Sequence, residues 1–241
     1  MSNDLELYER CAAEWWEADS PAFRSLHAIH EFRAPLLFGW LGDEASRGRV
    51  LDVGCGGGYF VEDFARRGAR VLGVDLSGES LGASRRHAES LGSPPSDYAR
   101  GDALALPVRD ACADGILVCD LLEHTIYWKR AVREAARVVK PGGWVFATTL
   151  NRTFLARVVA IWIGEGLGFV PRGTHDASMF IRPRELIAAA AESGLTLEQQ
   201  AGERPRIFAT MRRWTVVLAN SRMLGVTYSL LFRKRGAARE S

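Results

Sequence analysis

The chain has 241 residues, with 31 Lys and Arg against 29 Asp and Glu for a net charge of +2. That length suits one α/β domain with additions rather than two full domains, and the near-even charge gives no bulk case for nucleic acid. Four cysteines without CxxC spacing disfavour a disulfide framework and a zinc knuckle. No signal-peptide pattern or apolar run of about 20 residues is found, so the expectation is a cytoplasmic protein, free or at the inner face of a membrane.

Residues 1–48 are expected to form a helical lid. Leu5, Tyr8, Ala12, Trp15 and Trp16 recur at helical intervals before Asp19-Ser20-Pro21 stops the pattern, and a second helix over about 29–41 carries Arg33. The two tryptophans either stack on a flat aromatic substrate or pack the lid onto the core. Arg33 either pairs with a carboxylate or lies on a solvated helix face.

Residues 49–150 are expected to be a cofactor-binding core. Val50, Leu51 and Val53 make a short buried strand that breaks into Gly54-Cys55-Gly56-Gly57-Gly58. A helix over 59–67 follows, then a second buried strand over 71–74 with Asp75 at its carboxyl end. NAD is a poor fit, because Tyr59 stands where the dinucleotide fingerprint wants a third glycine and Asp52 would face a pyrophosphate. S-adenosylmethionine has no phosphate, and its amino and sulfonium groups are cationic, so Asp52 becomes an asset. On the sequence DVGCGGG with an acid at Asp75, the chain resembles the class I S-adenosylmethionine-dependent methyltransferases. The candidate cofactor contacts here are Asp52, Gly54, Cys55, Gly56, Asp75 and Leu76, joined by Asp102 and Ala103 after a third strand at 97–100. Asp102 either accepts from the adenine amino group or caps the turn around Pro107.

A fourth strand at 115–119 ends at Cys119 and delivers Asp120, Glu123 and His124 to the ligand edge of the sheet. An amphipathic helix over 128–139 ends at Lys140-Pro141-Gly142-Gly143, and a fifth strand follows at 144–149. The alternation of strand and helix predicts a Rossmann-like α/β fold: a mostly parallel seven-stranded sheet, helices on both faces and an antiparallel last strand. Residues 151–181 are expected to be an insertion facing substrate or membrane. Residues 182–233 complete the sheet, with a helix near 182–193 and strands near 195–199, 213–218 and 226–232, and 234–241 are expected to be a disordered tail.

More closely, the chain resembles the ubiquinone-biosynthesis O-methyltransferases, which methylate ring hydroxyls of polyprenyl catechols. The resemblance rests on Trp15-Trp16, Leu26-His27 with Arg33, LDVGCGGG at 51–58, Leu122-Glu123-His124, Lys140-Pro141-Gly142-Gly143, Thr149-Leu150-Asn151-Arg152 and, most discriminating, VPRGTHD at 170–176 with Phe180-Ile181-Arg182-Pro183. It implies that Arg33, Gly54, Asp75 and Cys119 contact S-adenosylmethionine. The chain departs from the family pattern at His30-Glu31, at Asp120, where Glu is common, and over 202–224. Those departures keep open an O-methyltransferase for a soluble secondary metabolite, and a non-catalytic S-adenosylmethionine-binding subunit is a further alternative.

Methyl transfer from a sulfonium to a phenolic oxygen is an in-line displacement. It needs alignment, worth about 7 to 11 kcal/mol, and a deprotonated oxygen. His124 is the candidate general base, against a histidine that only hydrogen-bonds to backbone. Asp120, Glu123 and His124 at i, i+3 and i+4 are expected on one face of a helical turn, which admits magnesium or zinc as a metal assisting the catechol oxygens. The alternative is a pair of helix-start carboxylates favoured by the dipole. The stretch FLARVVAIWIGEGLGFV at 154–170 is too short and too interrupted to span a bilayer. It suits a peripheral membrane contact that draws in a prenylated phenolic substrate, or a lid or dimer helix packed on protein.

Overall fold

The computed structural model describes residues 3–236. Eight strands form one sheet: β1 (Arg49–Val53), β2 (Arg70–Asp75), β3 (Asp97–Arg100), β4 (Ala113–Cys119), β5 (Val139–Leu150), β6 (Leu195–Pro205), β7 (Leu218–Ser221) and β8 (Thr227–Lys234), in the order β3-β2-β1-β4-β5-β8-β6-β7. Each neighbouring pair from β3 across to β5 is parallel, and β8 returns antiparallel between β5 and β6. The α-helices are α1 (Asn3–Cys11), α2 (Arg24–Leu41), α3 (Tyr59–Arg66), α4 (Gly78–Ser90), α5 (Trp128–Val138), α6 (Phe154–Arg157), α7 (Pro183–Glu192) and α8 (Ile207–Arg213).

Alternation along the strands explains why both faces are covered. On β4, Ile116 and Val118 join one core with Ala131, Val132, Ala135 and Ala136 of α5 and Leu186 of α7. Leu117 between them joins the opposite core, with Ala34 and Leu37 of α2 and Phe60 and Phe64 of α3. β5 repeats the pattern, with Val145 and Ala147 on one side and Trp144 and Phe146 on the other. A strand buried on both faces shows as a nearly unbroken apolar run, which is how β1, β2 and β4 stand out in the sequence. β2 and β4 flank β1, so the chain order reverses there, and ligands of such sheets bind outside the carboxyl ends of the strands at that switch.

The first helices, expected as a lid, pack on this core. Trp15 lies nearly parallel to Phe23 with ring centroids 3.9 Å apart and donates from Nε1 to Ser80 Oγ at 3.0 Å, while Trp16 stacks on His87 at 3.5 Å and donates to the Gly57 carbonyl. Both tryptophans therefore hold these helices to the glycine loop and α4. Trp15 also borders the cavity described below.

The C-terminal third departs from expectation. The sheet has eight strands instead of seven, and the strand expected at 213–218 is the end of α8, a connecting segment and the start of the short β7. Strand propensity in Trp214-Thr215-Val216-Val217 is overridden because that run finds other partners. Thr215 Oγ1 donates to the Arg24 carbonyl at 3.0 Å, Thr210 Oγ1 accepts from Val217 N at 3.0 Å, and Arg206 N donates to the Val217 carbonyl at 2.7 Å. β8 extends to Lys234, and the tail expected beyond it falls mainly on residues 237–241, outside the described residues.

Candidate active site

A cavity of about 640 Å³ opens at the carboxyl ends of β1, β2 and β4. Arg33, Asp52, Gly54, Cys55, Gly56, Asp75, Leu76, Asp102, Ala103, Cys119, Asp120, Glu123 and His124 all border it. These residues are scattered along the chain, and the sheet topology gathers them.

One end is built by the glycine loop. Gly54, Gly56 and Gly58 take left-handed φ values of 75°, 48° and 83°, which a side chain would strain, and a Cβ on Gly56 would meet the Trp15 ring at 2.6 Å. Asp75 holds the loop from the next strand: its Oδ2 accepts from Gly56 N at 2.9 Å and its Oδ1 from Ser77 N at 2.8 Å. Burial nevertheless pushes the Asp75 carboxyl above its usual value, against those amide donors. Asp52 is 3% exposed, and burial together with the Asp75 charge pushes it up to about 8. Two carboxyls crowded in one buried place are a site that gains from a cation. Asp102 is exposed and accepts from Leu104 N at 2.8 Å, so one of its oxygens caps the turn.

Arg33 settles its two readings in favour of a carboxylate. It is 3% exposed, and Glu203 of β6 grips it through Nε at 3.0 and 3.1 Å and Nη2 at 2.9 Å, while its Nη1 donates to Asp120. Glu203 is completely buried and also accepts from Thr227 Oγ1 and Ser229 Oγ of β8, each at 2.5 Å. Burial works against the guanidinium charge, but Asp120 and Glu203 outweigh it and hold Arg33 protonated. Glu203, Thr227 and Ser229 escaped sequence reading. Glu203 stands in the polar run Gln199-Gln200-Ala201-Gly202-Glu203-Arg204, where nothing marks it as buried.

The expected shared face of Asp120, Glu123 and His124 does not form. Asp120 has φ 49° and lies before a short 3-10 turn, Leu122–His124, so the helical spacing does not apply to it. Its carboxylate is taken by Arg33 and by Thr148 Oγ1, which donates at 3.1 Å. Glu123 is buried and accepts from Thr149 Oγ1 at 2.8 Å. Burial and the Asp120 charge push its carboxyl up, with His124 pulling the other way. Among the described residues, no group of three His, Cys, Asp or Glu side chains is arranged to hold a metal ion.

The other end of the cavity is apolar. Val159, Ile163 and Leu167 from the 154–170 segment line it with Phe169, Met211 and Val216. That segment is one turn of α6 followed by a wider π-helix, Val158–Glu165. Ala156, Ala160 and Gly164 are buried at intervals of four, leaving Phe154, Leu155, Trp162 and Leu167 exposed. No helix among the described residues is long and apolar enough to cross a membrane. His175 lies in the VPRGTHD motif, to which the sequence alone assigned no role. It stands in the cavity wall with its ring centroid 6.4 Å from that of His124.

Fold and cavity together define a class I S-adenosylmethionine-dependent methyltransferase. Residues 51–147 match the family model described as a methyltransferase domain. The fold is shared with a protein from Pyrococcus horikoshii OT3 (TM-score 0.68, 20% identity, covering 95% of this chain and 99% of that one). It is shared also with the magnesium protoporphyrin IX methyltransferase of Synechocystis PCC 6803 solved with bound S-adenosylhomocysteine (TM-score 0.62, 15% identity, 97% and 89% covered). Among curated relatives, the ubiquinone biosynthesis O-methyltransferase of Paracidovorax citrulli (strain AAC00-1) is 39% identical over 203 residues, covering 83% of each chain. That of Azoarcus sp. (strain BH72) is 37% identical over 235 residues, covering 97% of each. The chain belongs to the family of ubiquinone biosynthesis O-methyltransferases, and it is an S-adenosylmethionine-dependent O-methyltransferase.

Proposed function

We propose that this enzyme methylates a ring hydroxyl of a polyprenyl catechol in ubiquinone biosynthesis. The observation that carries the reading is one continuous cavity, in which an acidic glycine-loop end runs into an apolar end with His124 in the same wall. The first end would hold S-adenosylmethionine, with Asp52 placed to receive its amino group, Asp75 its ribose hydroxyls, and Leu76, Asp102 and Ala103 its adenine. Arg33 and Cys119 complete the cofactor wall, with Gly54, Cys55 and Gly56 underneath.

The acceptor ring lies against the sulfonium with its tail along Val159, Ile163 and Leu167. His124 takes the proton of the attacking hydroxyl, the oxygen lone pair attacks the methyl carbon, and the carbon–sulfur pair returns to sulfur. A phenol with a pKa near 10 needs such a base at neutral pH, since alignment by itself leaves the proton in place.

A magnesium or zinc ion on Asp120, Glu123 and His124 would lower the phenol pKa. As folded, Asp120 is committed to Arg33 and Glu123 to Thr149, so the donors do not fit a metal, and no step is routed through one. Titration of the protein with either ion, read by calorimetry, tests this directly, and stoichiometric binding lost in Asp120→Ala would restore the metal.

The exposed residues Phe154, Leu155, Trp162 and Leu167 make a peripheral membrane contact in this reading, on the cytoplasmic side. α8 supports it, because Ile207 and Met211 border the same cavity and are exposed, beside exposed Phe208 and the exposed Arg204, Arg206, Arg212 and Arg213. The deciding experiment is mass spectrometry of products from a panel of catechols and phenols, with and without prenyl tails. Methylation of prenylated catechols supports the proposal. Preference for soluble, untailed acceptors would move the enzyme to secondary metabolism.

A further inference from the structure

The motif VPRGTHD has no role in the chemistry above, yet its geometry converges on one imidazole. Glu165, at the end of the π-helix, is 6% exposed and accepts from Gly173 N at 2.6 Å, from His175 N at 2.8 Å and from His175 Nδ1 at 3.0 Å. Gly173 has φ 83°, which turns the loop so that its amide and that of His175 both reach the carboxylate. Thr174 Oγ1 ties the loop to the Pro171 carbonyl at 2.8 Å, and Asp176 caps the next turn by accepting from Ser178 N at 2.8 Å.

Burial opposes the Glu165 charge, but the donors from His175 and Gly173 outweigh it and hold the carboxyl below its usual value. An ionised carboxylate can only accept, so Nδ1 of His175 carries the hydrogen. In the neutral ring this leaves Nε2 as an acceptor, on a side chain that borders the cavity next to His124.

Two imidazoles side by side in one wall suit two neighbouring oxygens better than one. We propose that His175, fixed by Glu165, accepts a hydrogen bond from the ring hydroxyl adjacent to the one being methylated. The enzyme thereby selects vicinal diols over simple phenols. A site built to pair with a second hydroxyl penalises the analogue that lacks it, because the nitrogen is then left without a partner. The inference rests on the catechol reading above and adds to it the group that recognises the second oxygen.

The test compares a monoprenyl catechol with the matching monoprenyl phenol, binding each to the full chain saturated with S-adenosylhomocysteine. Wild type should favour the diol by about tenfold or more, as for one well-made hydrogen bond. His175→Phe, which keeps a ring and loses the nitrogens, should abolish that preference, weakening diol binding by losing the hydrogen bond while phenol binding holds or tightens as the unpartnered nitrogen is removed. Glu165→Gln should lower the preference partway, and His175→Gln should keep part of it. Melting temperature and S-adenosylhomocysteine affinity identify variants whose loop has collapsed. Equal losses for diol and phenol, or an undiminished preference in His175→Phe, would overturn the inference. Wild type that methylates the diol while His175→Phe keeps the preference overturns it alone, whereas wild type that neither binds nor methylates the diol overturns the catechol reading with it.

Discussion

At the scale of single residues, the acids of the glycine-loop end make the most direct predictions. Folded Asp52 keeps its proton to about 8, against an ordinary 3.8. Between those values the folded state binds more protons than the unfolded one, so stability of the cofactor-free protein should fall as pH rises through that window. A cationic cofactor favours the deprotonated carboxyl, so S-adenosylmethionine affinity should rise with pH up to about 8 and then level off. Calorimetry from about pH 6 to 9 checks both signs, and Asp52→Asn should flatten the affinity curve. Asp75→Ala should weaken the cofactor by about 1.5 to 3 kcal/mol, the range for hydrogen bonds involving a charged group. An unchanged dissociation constant would remove Asp75 from the ribose. His124→Ala should cut turnover by about 10² or more with cofactor affinity nearly intact, because a general base acts in the transition state. The acids were legible in sequence because they lie on or at the end of buried strands. Glu165 and His175 were not, since only the folded loop brings them together.

At the scale of elements, the 154–170 segment was legible as an interrupted apolar stretch but not as a π-helix. The wider turn changes which side chains face out. The apolar side chains of the stretch expected at the membrane divide: Leu155 and Trp162 are exposed, while Val159 and Ile163 line the cavity. Trp162→Asp should therefore reduce sedimentation with anionic liposomes and turnover of a long-tailed catechol, leaving a short-tailed one unaffected. Ile163→Asp should damage both activities, since it puts a charge in the apolar end of the cavity. Equal behaviour of the two variants would count against this division. The segment after α8 was misread as strand because Trp214 to Val217 has strand composition, and its partners in α2 lie 191 residues away in the sequence.

At the scale of the whole molecule, the parallel half of the sheet was legible from alternating strand and helix signals. The clasp that ties α2 to β6 was not. Arg33 of α2 and Glu203 of β6 are 170 residues apart, and both are buried. Removing one partner of a buried pair costs about 3 to 5 kcal/mol when it leaves the other charge unpaired, and Asp120, which also accepts from Arg33, should hold the loss here below that range. Glu203→Ala should show that loss in urea denaturation and should also disturb cofactor binding by releasing Arg33. Glu203→Gln, which keeps the shape, should be milder.

The separation of that pair along the chain also sets an order of events during synthesis. A ribosome delivers β1, the glycine loop and Asp75 while β6 and β8 are still unmade, so the arginine emerges before the carboxylate and hydroxyls that fix it exist. The wall around Arg33 is then closed only once β6 and β8 have emerged, and a chain halted before Glu203 would carry the glycine loop and Asp75 without a settled Arg33.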